Sequence, residues 1–417
     1  MMSSTQERYG DYELVQYLTA GGMADLFLAR SPQLGDTKSD RTLVLKRIQP
    51  RYAEMTRVVK MFIDEGRIAQ ALEHPNIVKV VDVGHQSGTY FIAMEYIAGR
   101  DLLAICRRGT NAGNFFSRPL AVALLGQVAR GLMYAHEKRD SEGRPLKVVH
   151  CDLSPGNIVV SWGGTAKIVD FGIARAEIQL RTEDHSVAGK FNYMAPEQIR
   201  GEPIDSRADL FAFGILLYEL TVGKRLFRGR PEQVMQRVLE EKIVRPCKIN
   251  PAFPADLEAI ILRTLERDRE ARYQTARSLR NDLLGWLATQ APHGKAEIAA
   301  YLRAIFGTES APLHEAQDFA SRGEDFSLEA PLPLLDSTPL AVDAEEPEGL
   351  EMVAEVPLYS VAPSVIPALD PTDKTHATRS ARPERSIAES KGQTAAIIFA
   401  ALLFTAALGG LVWILLR

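Results

Sequence analysis

The chain has 417 residues, a length typical of two or three domains, and a formal net charge of −4. This near balance of charges predicts no nucleic-acid partner. The 3 cysteines are too few and too scattered for a disulfide framework or a zinc site, and they fit a reducing cytosol. Composition therefore argues against a secreted disulfide scaffold and against a basic nucleic-acid-binding protein.

The first hundred residues predict a small lobe that is mainly β-structure. Residues 1–8 are polar, lack the apolar core of a signal peptide and are expected to form a tail. Up to Gly99, hydrophobic alternation predicts five strands, and one segment has helical periodicity. The predicted strands cover residues 12–30 (two strands around a glycine turn), 42–48, 77–84 and 89–96, and the predicted helix covers 56–72.

After Gly99 the pattern becomes helical and predicts a second, larger lobe. Apolar residues recur there at the spacing of amphipathic helices. The predicted helices cover residues 119–138, 207–223, 231–240, 255–266 and 275–288. The chain is therefore expected to have an α+β fold with two lobes, followed by a helical extension over residues 288–310.

Beyond residue 310 the composition changes. Residues 311–370 contain thirteen Asp or Glu and one Arg, and proline is frequent. Such a segment cannot bury enough apolar surface to offset the entropy that is lost on ordering. Residues 311–393 are therefore predicted to form a disordered acidic linker, and a docking site within this segment is the alternative.

Residues 395–416 contain no charged side chain and predict a transmembrane helix. At about 1.5 Å per residue the stretch is roughly 33 Å long, enough to cross the apolar core of a bilayer. A buried core helix is the alternative. Basic residues are more frequent before the stretch than after it, which places the preceding chain in the cytosol. The spacing of Ala406 and Gly410 suggests a homodimer through this helix.

A group of polar residues between positions 150 and 172 indicates a phosphate-handling site. The segment reads His-Cys-Asp-Leu-Ser-Pro-Gly-Asn, continues through a hydrophobic hairpin and ends in Asp-Phe-Gly. Asp152 is a carboxylate that could orient a hydroxyl. Asn157 and Asp170 supply the amide and the second carboxylate that hold Mg²⁺ in such sites.

With these motifs in this order, residues 9–287 resemble the bacterial branch of eukaryotic-like (Hanks-type) serine/threonine protein kinases. The resemblance implies a bilobal protein kinase fold, with a β-rich N-terminal lobe and a helical C-terminal lobe. It also implies ATP and Mg²⁺ (or Mn²⁺) as cofactors, and transfer of the γ-phosphoryl group to Ser or Thr of protein substrates in signalling. Together with the predicted span, it implies a single-pass protein of the bacterial inner membrane whose kinase domain is cytoplasmic.

The glycine-rich loop of this family corresponds to Leu18–Ala24. The family pattern is G-x-G-x-x-G, and only the middle glycine, Gly21, is retained, because Thr19 and Ala24 occupy the outer positions. The backbone amides of Gly21 and Gly22 can still cover a phosphate. An ordinary hairpin turn is the alternative interpretation.

Lys46 and Glu65 match the ion pair of the family, in which the lysine grips the α- and β-phosphates. Lys46 lies in an apolar strand, where a charge is costly without a partner, and Glu65 follows nineteen residues later. Two unrelated surface charges are the alternative.

Other family positions are expected to bind the nucleoside. Glu95 and Ile97 lie in the segment that resembles the hinge, whose backbone bonds adenine. Asp101 matches a position that can meet the ribose, and a helix N-cap is its alternative role. The residues expected to line the adenine pocket, or simply to pack in the core, are Leu18, Leu26, Val44, Met94 and Val159.

The resemblance assigns roles to the residues of the 150–172 segment. Asp152 is the base that orients the substrate hydroxyl, and Asn157 and Asp170 ligate Mg²⁺. His150 and Phe171 are expected to pack and to brace this loop rather than to react.

Three charged residues further along the chain are expected to be structural. Glu197 ends a segment that matches the end of the activation segment, and it is expected to pair with Arg272. Asp209 is expected to brace the catalytic loop. The expectation rests on the need of buried charges for partners.

Three departures from the family pattern cluster at the chemistry. Cys151 replaces an arginine that receives an activation-loop phosphate, which predicts that activity depends only weakly on phosphorylation of Thr182 or Ser186. Ser154 and Lys190 stand where the family has a lysine and a threonine. We hypothesise an exchange, in which Lys190 supplies the positive charge for the γ-phosphate and Ser154 bonds the catalytic aspartate. A solvated loop lysine is the alternative.

A pseudokinase that acts as a membrane-anchored signalling scaffold is the alternative function. The altered glycine loop and the missing lysine favour it, whereas the retained residues of the nucleotide site oppose it. A small-molecule phosphotransferase is disfavoured, because the Ala-Pro-Glu segment and the long activation loop form a platform for protein substrates. Tyrosine specificity is not expected, because the catalytic loop lacks the Ala-Ala-Arg pattern of tyrosine kinases.

Overall fold

The structure is a computed structural model, and it describes residues 7–31, 42–171 and 191–307. No helix within these ranges is long and apolar enough to cross a membrane. Several sequence predictions lie outside the described residues: the linker 311–393, the span 395–416, and the roles of Thr182, Ser186 and Lys190.

The N-terminal lobe is built on an antiparallel sheet. Its strands are β1 (Glu7–Tyr9), β2 (Tyr12–Ala20), β3 (Ala24–Arg30), β4 (Thr42–Ile48), β5 (Val80–Gln86) and β6 (Thr89–Glu95). They are hydrogen-bonded in the order β1-β2-β3-β4-β6-β5, so that β4 lies inside the sheet. Two helices, α1 (Pro50–Ala53) and α2 (Thr56–Gln70), follow β4 along the chain.

Helix α2 packs on the sheet because its apolar residues fall on one side. Phe62 and Ala69 are buried in a cluster with Ile48 and Ile92 of the sheet. Full burial of a phenylalanine side chain stabilises a fold by about 1.5–3 kcal/mol. Glu65 is one turn from these residues and is buried with them, so that its carboxylate faces the sheet.

The structure differs from the predicted strand over residues 77–84. The strand begins at Val80, because the preceding residues bond with the second lobe. Ile77 forms a β-bridge with Ile168, and the N–H of Val78 donates to the carbonyl of Ile168 at 2.9 Å. Periodicity along one segment cannot reveal this pairing, which joins residues about ninety positions apart.

Strand β1 was not predicted, and it overlaps the expected tail over residues 1–8. Three residues are too few to show an alternating pattern. The strand is held by Tyr9, whose hydroxyl donates to the carbonyl of Gln86 at 2.9 Å and whose ring packs edge-to-face on Phe91.

The C-terminal lobe contains a three-stranded sheet and nine helices within the described residues. The strands are β7 (Gly99–Asp101), β8 (Ile158–Ser161) and β9 (Ala166–Ile168). The helices are α3 (Leu102–Asn111), α4 (Arg118–His136), α5 (Pro196–Ile199), α6 (Arg207–Val222), α7 (Pro231–Glu240), α8 (Pro246–Ile249), α9 (Ala255–Thr264), α10 (Ala276–Leu287) and α11 (Lys295–Phe306). Each of the five predicted helices of this lobe is present to within about two residues at either end. The predicted α+β fold with two lobes is confirmed.

Helix α6 is the centre of the larger lobe. It is apolar on all sides and buried along almost its whole length, as expected for a core helix. Two carboxylates, Asp209 and Glu219, are buried with it and therefore need partners. The helix ends at Gly223, whose φ of +74° favours glycine.

Helix α11 closes the back of the larger lobe. The hydroxyl of Tyr301 donates to the carbonyl of Asn114 at 2.9 Å, and the Arg108 guanidinium donates to the carbonyl of Ile305 at 2.8 Å. The rings of Trp162 and Phe306 meet edge-to-face with centroids 5.5 Å apart. These contacts pack α11 onto α3 and α4. The helix lies within residues 288–310, the segment that was predicted as a helical extension.

Candidate functional site

Lys46 lies at the centre of the candidate site. Strand β4 carries it inside the N-terminal lobe, where the residue is only 3% exposed. Its ammonium donates to Oε1 of Glu65 at 2.5 Å and to Oδ1 of Asp170 at 3.0 Å. Two carboxylates, one from each lobe, thus compensate a buried charge that would otherwise be costly.

Asp209 holds the backbone of the loop that carries Asp152. The carboxylate of Asp209 accepts hydrogen bonds from the N–H groups of His150 and Cys151, both at 2.8 Å. Its Oδ2 also lies 2.8 Å from Nε2 of His136, at the end of α4. Asp209 therefore braces the loop as expected, and His136 is a partner that sequence reasoning missed.

The side chain of His150 fixes the same loop from within. Its ring is fully buried, and the rings of His150 and Phe171 lie 4.9 Å apart. Nε2 of His150 lies 3.1 Å from the carbonyl of Val169, and Nδ1 accepts from the N–H of Asp152 at 3.2 Å. These contacts agree with a bracing role for both aromatic residues.

Asn157 orients the proposed base. Its Nδ2 donates to Oδ2 of Asp152 at 3.0 Å and to the carbonyl of Asp152 at 2.7 Å. Within the described residues no hydrogen bond joins Ser154 to Asp152. The exchange of Ser154 and Lys190 stays a prediction, because Lys190 lies outside the described residues. The amide that holds the aspartate carboxylate comes from Asn157, five positions after Asp152 at the end of a short 3₁₀ turn.

The metal-binding prediction fits the donors that are present. The N–H of Val169 donates to the carbonyl of Asn157 at 2.9 Å, so the chain places Asp170 beside Asn157. Mg²⁺ is usually held by one or two protein oxygens together with phosphate oxygens and water. No group of three His, Cys, Asp or Glu side chains in the described ranges could hold a metal ion.

The backbone of Asp170 and that of Cys151 are both in the left-handed region. Their φ angles are +57° and +62°, an uncommon conformation for residues other than glycine. Such local strain persists only where surrounding contacts maintain it, as the bonds to Lys46 and Asp209 do here. Burial raises the pKa of the Cys151 thiol, and nearby carboxylates raise it further, which agrees with a filler rather than a reactive thiol.

The glycine turn joins β2 to β3. The N–H of Gly21 donates to the carbonyl of Ala24 at 2.8 Å, and a Cβ at Gly21 would lie 2.9 Å from that oxygen. Only glycine therefore fits here without displacement. Gly22 has open space around it, while Met23 is buried in the core beneath the sheet.

The five predicted adenine-pocket residues come from both lobes. Leu18 is 40% exposed, and Met94 is buried in the core of the N-terminal lobe, which is its alternative role. Strand pairing places Leu26 opposite Lys46 and Val44 opposite Met94, while Val159 lies in the sheet of the other lobe.

The hinge residues have structural partners of their own. Glu95 accepts a hydrogen bond from the N–H of Lys79 at 2.8 Å and forms an ion pair with Lys167. Ile97 is half-buried beside the core of the N-terminal lobe. These contacts fix the hinge backbone, which is the part expected to bond adenine.

Asp101 is the N-cap of α3, the alternative role that its sequence position suggested. Its Oδ1 accepts from the N–H of Ala104 at 2.8 Å. Burial raises the pKa of the Asp101 carboxyl, and the bond from Ala104 offsets only part of that rise. Its contact with ribose stays a prediction.

The expected pair of Glu197 and Arg272 is confirmed. Their oxygens and nitrogens lie 2.8 and 3.2 Å apart, and both side chains are buried. The neighbouring Gln198 donates to the carbonyl of Cys151 at 2.8 Å, a link that sequence reasoning missed. A sequence signal for this contact was available, because Gln198 directly follows Glu197, which was itself expected to be structural.

Comparison with known proteins agrees with this geometry. The family described as the protein kinase domain matches residues 12–284. The chain is 40% identical over 304 residues to the tyrosine-protein kinase MasK of Myxococcus xanthus, covering 72% of this chain and 47% of that protein. It is 31% identical over 276 residues to the serine/threonine-protein kinase PrkC of Bacillus subtilis, covering 66% and 40%.

Other relatives extend the comparison. The chain is 31% identical over 288 residues to the serine/threonine-protein kinase PknB of Mycobacterium leprae, covering 67% of this chain and 44% of that protein. It therefore spans less than half the length of these curated relatives. The crystal structure of the PknI kinase domain of Mycobacterium tuberculosis matches with a TM-score of 0.51 at 22% identity, covering 68% of this chain and 99% of that one. At that identity the likeness shows the fold alone.

Proposed function

This chain belongs to the protein kinase family, and on that premise we propose that it transfers the γ-phosphoryl group of ATP to Ser or Thr hydroxyls of protein substrates. The observation that carries the proposal is the double contact of the Lys46 ammonium with Glu65 and Asp170. It joins the lysine of one lobe to the metal-binding carboxylate of the other.

Each residue of the candidate site would have its own role in phosphoryl transfer. The Lys46 ammonium would donate to phosphate oxygens and hold the transferred group in line. The Asp152 carboxylate would accept a hydrogen bond from the substrate hydroxyl and take its proton. Asn157 and Asp170 would hold Mg²⁺, which supplies neutralising charge to the phosphates.

Specificity for serine or threonine is the finer part of the proposal. PrkC and PknB carry serine/threonine kinase names, and MasK carries a tyrosine kinase name. The catalytic loop of this chain, from Asp152 to Asn157, lacks the Ala-Ala-Arg pattern of tyrosine kinases. We therefore propose that serine and threonine are the acceptors.

Phosphate transfer by the purified full chain tests both parts of the proposal. With Mg²⁺ and labelled ATP, label should enter protein and be recovered as phosphoserine and phosphothreonine. Asp152→Asn should reduce incorporation by about 10²–10⁴-fold, the usual contribution of a positioned base. Recovery of phosphotyrosine without phosphoserine or phosphothreonine would contradict the proposed specificity for serine and threonine. If the wild-type chain incorporated no more label than Asp152→Asn, the result would favour the pseudokinase. The replacement of the outer glycines in the glycine loop also favours that alternative.

The exchange of Ser154 and Lys190 has its own test. If Lys190 supplies the positive charge for the γ-phosphate, Lys190→Ala should lower kcat by about 10²–10³-fold, as loss of an electrostatic contact to a transition state does. A solvated lysine would leave kcat near its normal value. Ser154→Lys combined with Lys190→Thr should recover more activity than either change alone.

We also propose that residues 395–416 anchor the chain in the bacterial inner membrane with the kinase domain in the cytoplasm. The uncharged stretch and the basic residues before it support this orientation. The full chain should then stay in the membrane pellet after alkaline carbonate washing, and a chain without residues 394–417 should not. Release of both into the supernatant would contradict the anchor.

A further inference from the structure

A glutamine just beyond β4 is bonded to the glycine turn. Gln49 follows the last residue of the strand that carries Lys46 and is only 9% exposed. Its Nε2 donates to the carbonyl of Gly21 at 3.1 Å and to Oδ1 of Asp25 at 2.8 Å. Its backbone N–H donates to the carbonyl of Met23 at 3.0 Å. Gln49 is therefore bonded at two points to the turn, Gly21 and Met23, and at a third point to Asp25 at the start of β3.

The chemistry of these bonds requires an amide. Both hydrogens of Nε2 are used, since the Gly21 carbonyl and the Asp25 carboxylate are acceptors. The remaining oxygen, Oε1, accepts from the Arg51 guanidinium at 2.9 Å. Glutamate has no such hydrogens at neutral pH, and alanine has no polar atoms.

The turn has few other means of keeping its shape. One hydrogen bond closes it, from Gly21 to Ala24, and the space around Gly22 is open. Under the proposed function, the amides of this turn cover the phosphates of ATP. A turn that became ordered only on binding would lose conformational entropy and so bind more weakly.

We propose that Gln49 is a positioning residue that holds the glycine turn in the geometry for nucleotide binding and thereby sets the affinity for ATP. This rests on the proposed function. Gln49 has no bond to Asp152 or Asn157 in the described residues. Its removal should therefore change the binding of ATP and leave the transfer step in place.

Kinetics of the full chain test the proposal. Gln49→Ala should raise the KM for ATP about tenfold, as expected from the loss of about two hydrogen bonds, while kcat stays within about twofold. Gln49→Glu should raise KM further, because a carboxylate then faces two acceptors. Adding Asp25→Asn to Gln49→Glu should lower KM part of the way back, since the new amide can donate to the new carboxylate. Gln70→Ala, at an exposed glutamine of the same lobe, is the matched control and should behave as wild type.

Two measurements that do not need phosphate transfer separate this proposal from the function itself. Hydrogen exchange of the amides over residues 19–24 should accelerate in Gln49→Ala and recover in part in the double variant, whether or not the chain transfers phosphate. Calorimetric titration with ATP and Mg²⁺ should show the same order of affinities as KM. Unchanged exchange and unchanged affinity in Gln49→Ala would overturn the proposal, as would a fall in kcat with KM unaltered. An inactive wild-type chain would overturn the proposed function. The hydrogen-exchange result would then decide whether Gln49 holds the turn.

Discussion

At the scale of single residues, the catalytic loop depends on one buried carboxylate. Asp209 accepts hydrogen bonds from two backbone N–H groups and lies against the ring of His136. Burial by itself raises the pKa of the Asp209 carboxyl, but the hydrogen bond and the charge of His136 bring the pKa below its ordinary value. The fold therefore stabilises the ionised form.

This depressed pKa predicts a pH dependence of stability. Because the folded value is the lower one, the stabilisation is complete above the unfolded carboxyl pKa of about 3.9 and is lost as the pH falls through the folded value. In Asp209→Asn the free energy of unfolding should decrease less steeply as the pH falls (the acid limb of the stability curve). At pH 7 the variant should be less stable by about 2–4 kcal/mol, because its amide presents a donor to backbone N–H groups. Urea unfolding of both chains between about pH 3 and pH 7 measures the two effects.

A surface aspartate serves as the control for that experiment. Asp256 is exposed in the first turn of α9. Asp256→Asn should change the free energy of unfolding at pH 7 by no more than about 0.5 kcal/mol. An acid limb that is equally steep in wild type and Asp209→Asn would show that other carboxylates control acid stability.

At the scale of secondary-structure elements, α11 packs closely on the body of the larger lobe. Two glycines allow the approach. A Cβ at Gly109 would lie 2.3 Å from the hydroxyl of Tyr301, and one at Gly164 would lie 2.0 Å from the carbonyl of Lys295. Gly164 also has a φ of +77°, which favours glycine. The segment after the predicted kinase boundary is thus a packed part of the lobe.

Neighbouring glycines give a matched test of this packing. Gly164→Ala should destabilise the chain by about 2–4 kcal/mol, because the new methyl group meets backbone atoms and the φ is unfavourable. Gly163→Ala, one residue away, meets nothing closer than 3.8 Å and should be nearly neutral. Urea unfolding measures the difference, and limited proteolysis should show faster cleavage near α11 in Gly164→Ala alone. Equal stabilities of the two variants would contradict the close approach.

At the scale of the whole molecule, the two lobes meet around the candidate site. The N–H of Ile168 donates to the carbonyl of Asn76 at 2.9 Å, and Lys46 reaches Asp170 at 3.0 Å. These bonds cross from the smaller lobe to the larger one. A nucleotide held by residues of both lobes would add to them, so binding should stabilise the molecule as a unit.

Thermal unfolding measures this coupling. ATP with Mg²⁺ at about 100 times its Kd should add about 2.7 kcal/mol to the free energy of unfolding and raise Tm accordingly. Lys46→Met should abolish the increase, because the lysine that is proposed to bind the phosphates is lost. Lys79→Met, at an exposed lysine of the same lobe, should keep it. A wild-type chain whose Tm does not respond to ATP would argue against nucleotide binding.

Much of the site follows from local sequence. Asp152, Asn157 and Asp170 lie within one short stretch, and their side-chain chemistry indicates phosphate and Mg²⁺ before any fold is known. The helices of the larger lobe were placed to within about two residues, because amphipathic periodicity is a local property. Partners far apart in sequence, such as Glu197 and Arg272, could be named only through the family resemblance.

The sequence by itself determined the fold class, which the structure confirms, and a set of candidate reactive side chains, since both depend on residue type and short-range spacing. Only the tertiary structure revealed the further residues that hold this set in place. Gln49, His136 and Gln198 are ordinary polar residues in their own segments, and they become important because the fold brings them to the glycine turn and the catalytic loop. A hydrogen bond between distant segments leaves no periodic signal, because its geometry exists only after the elements have packed.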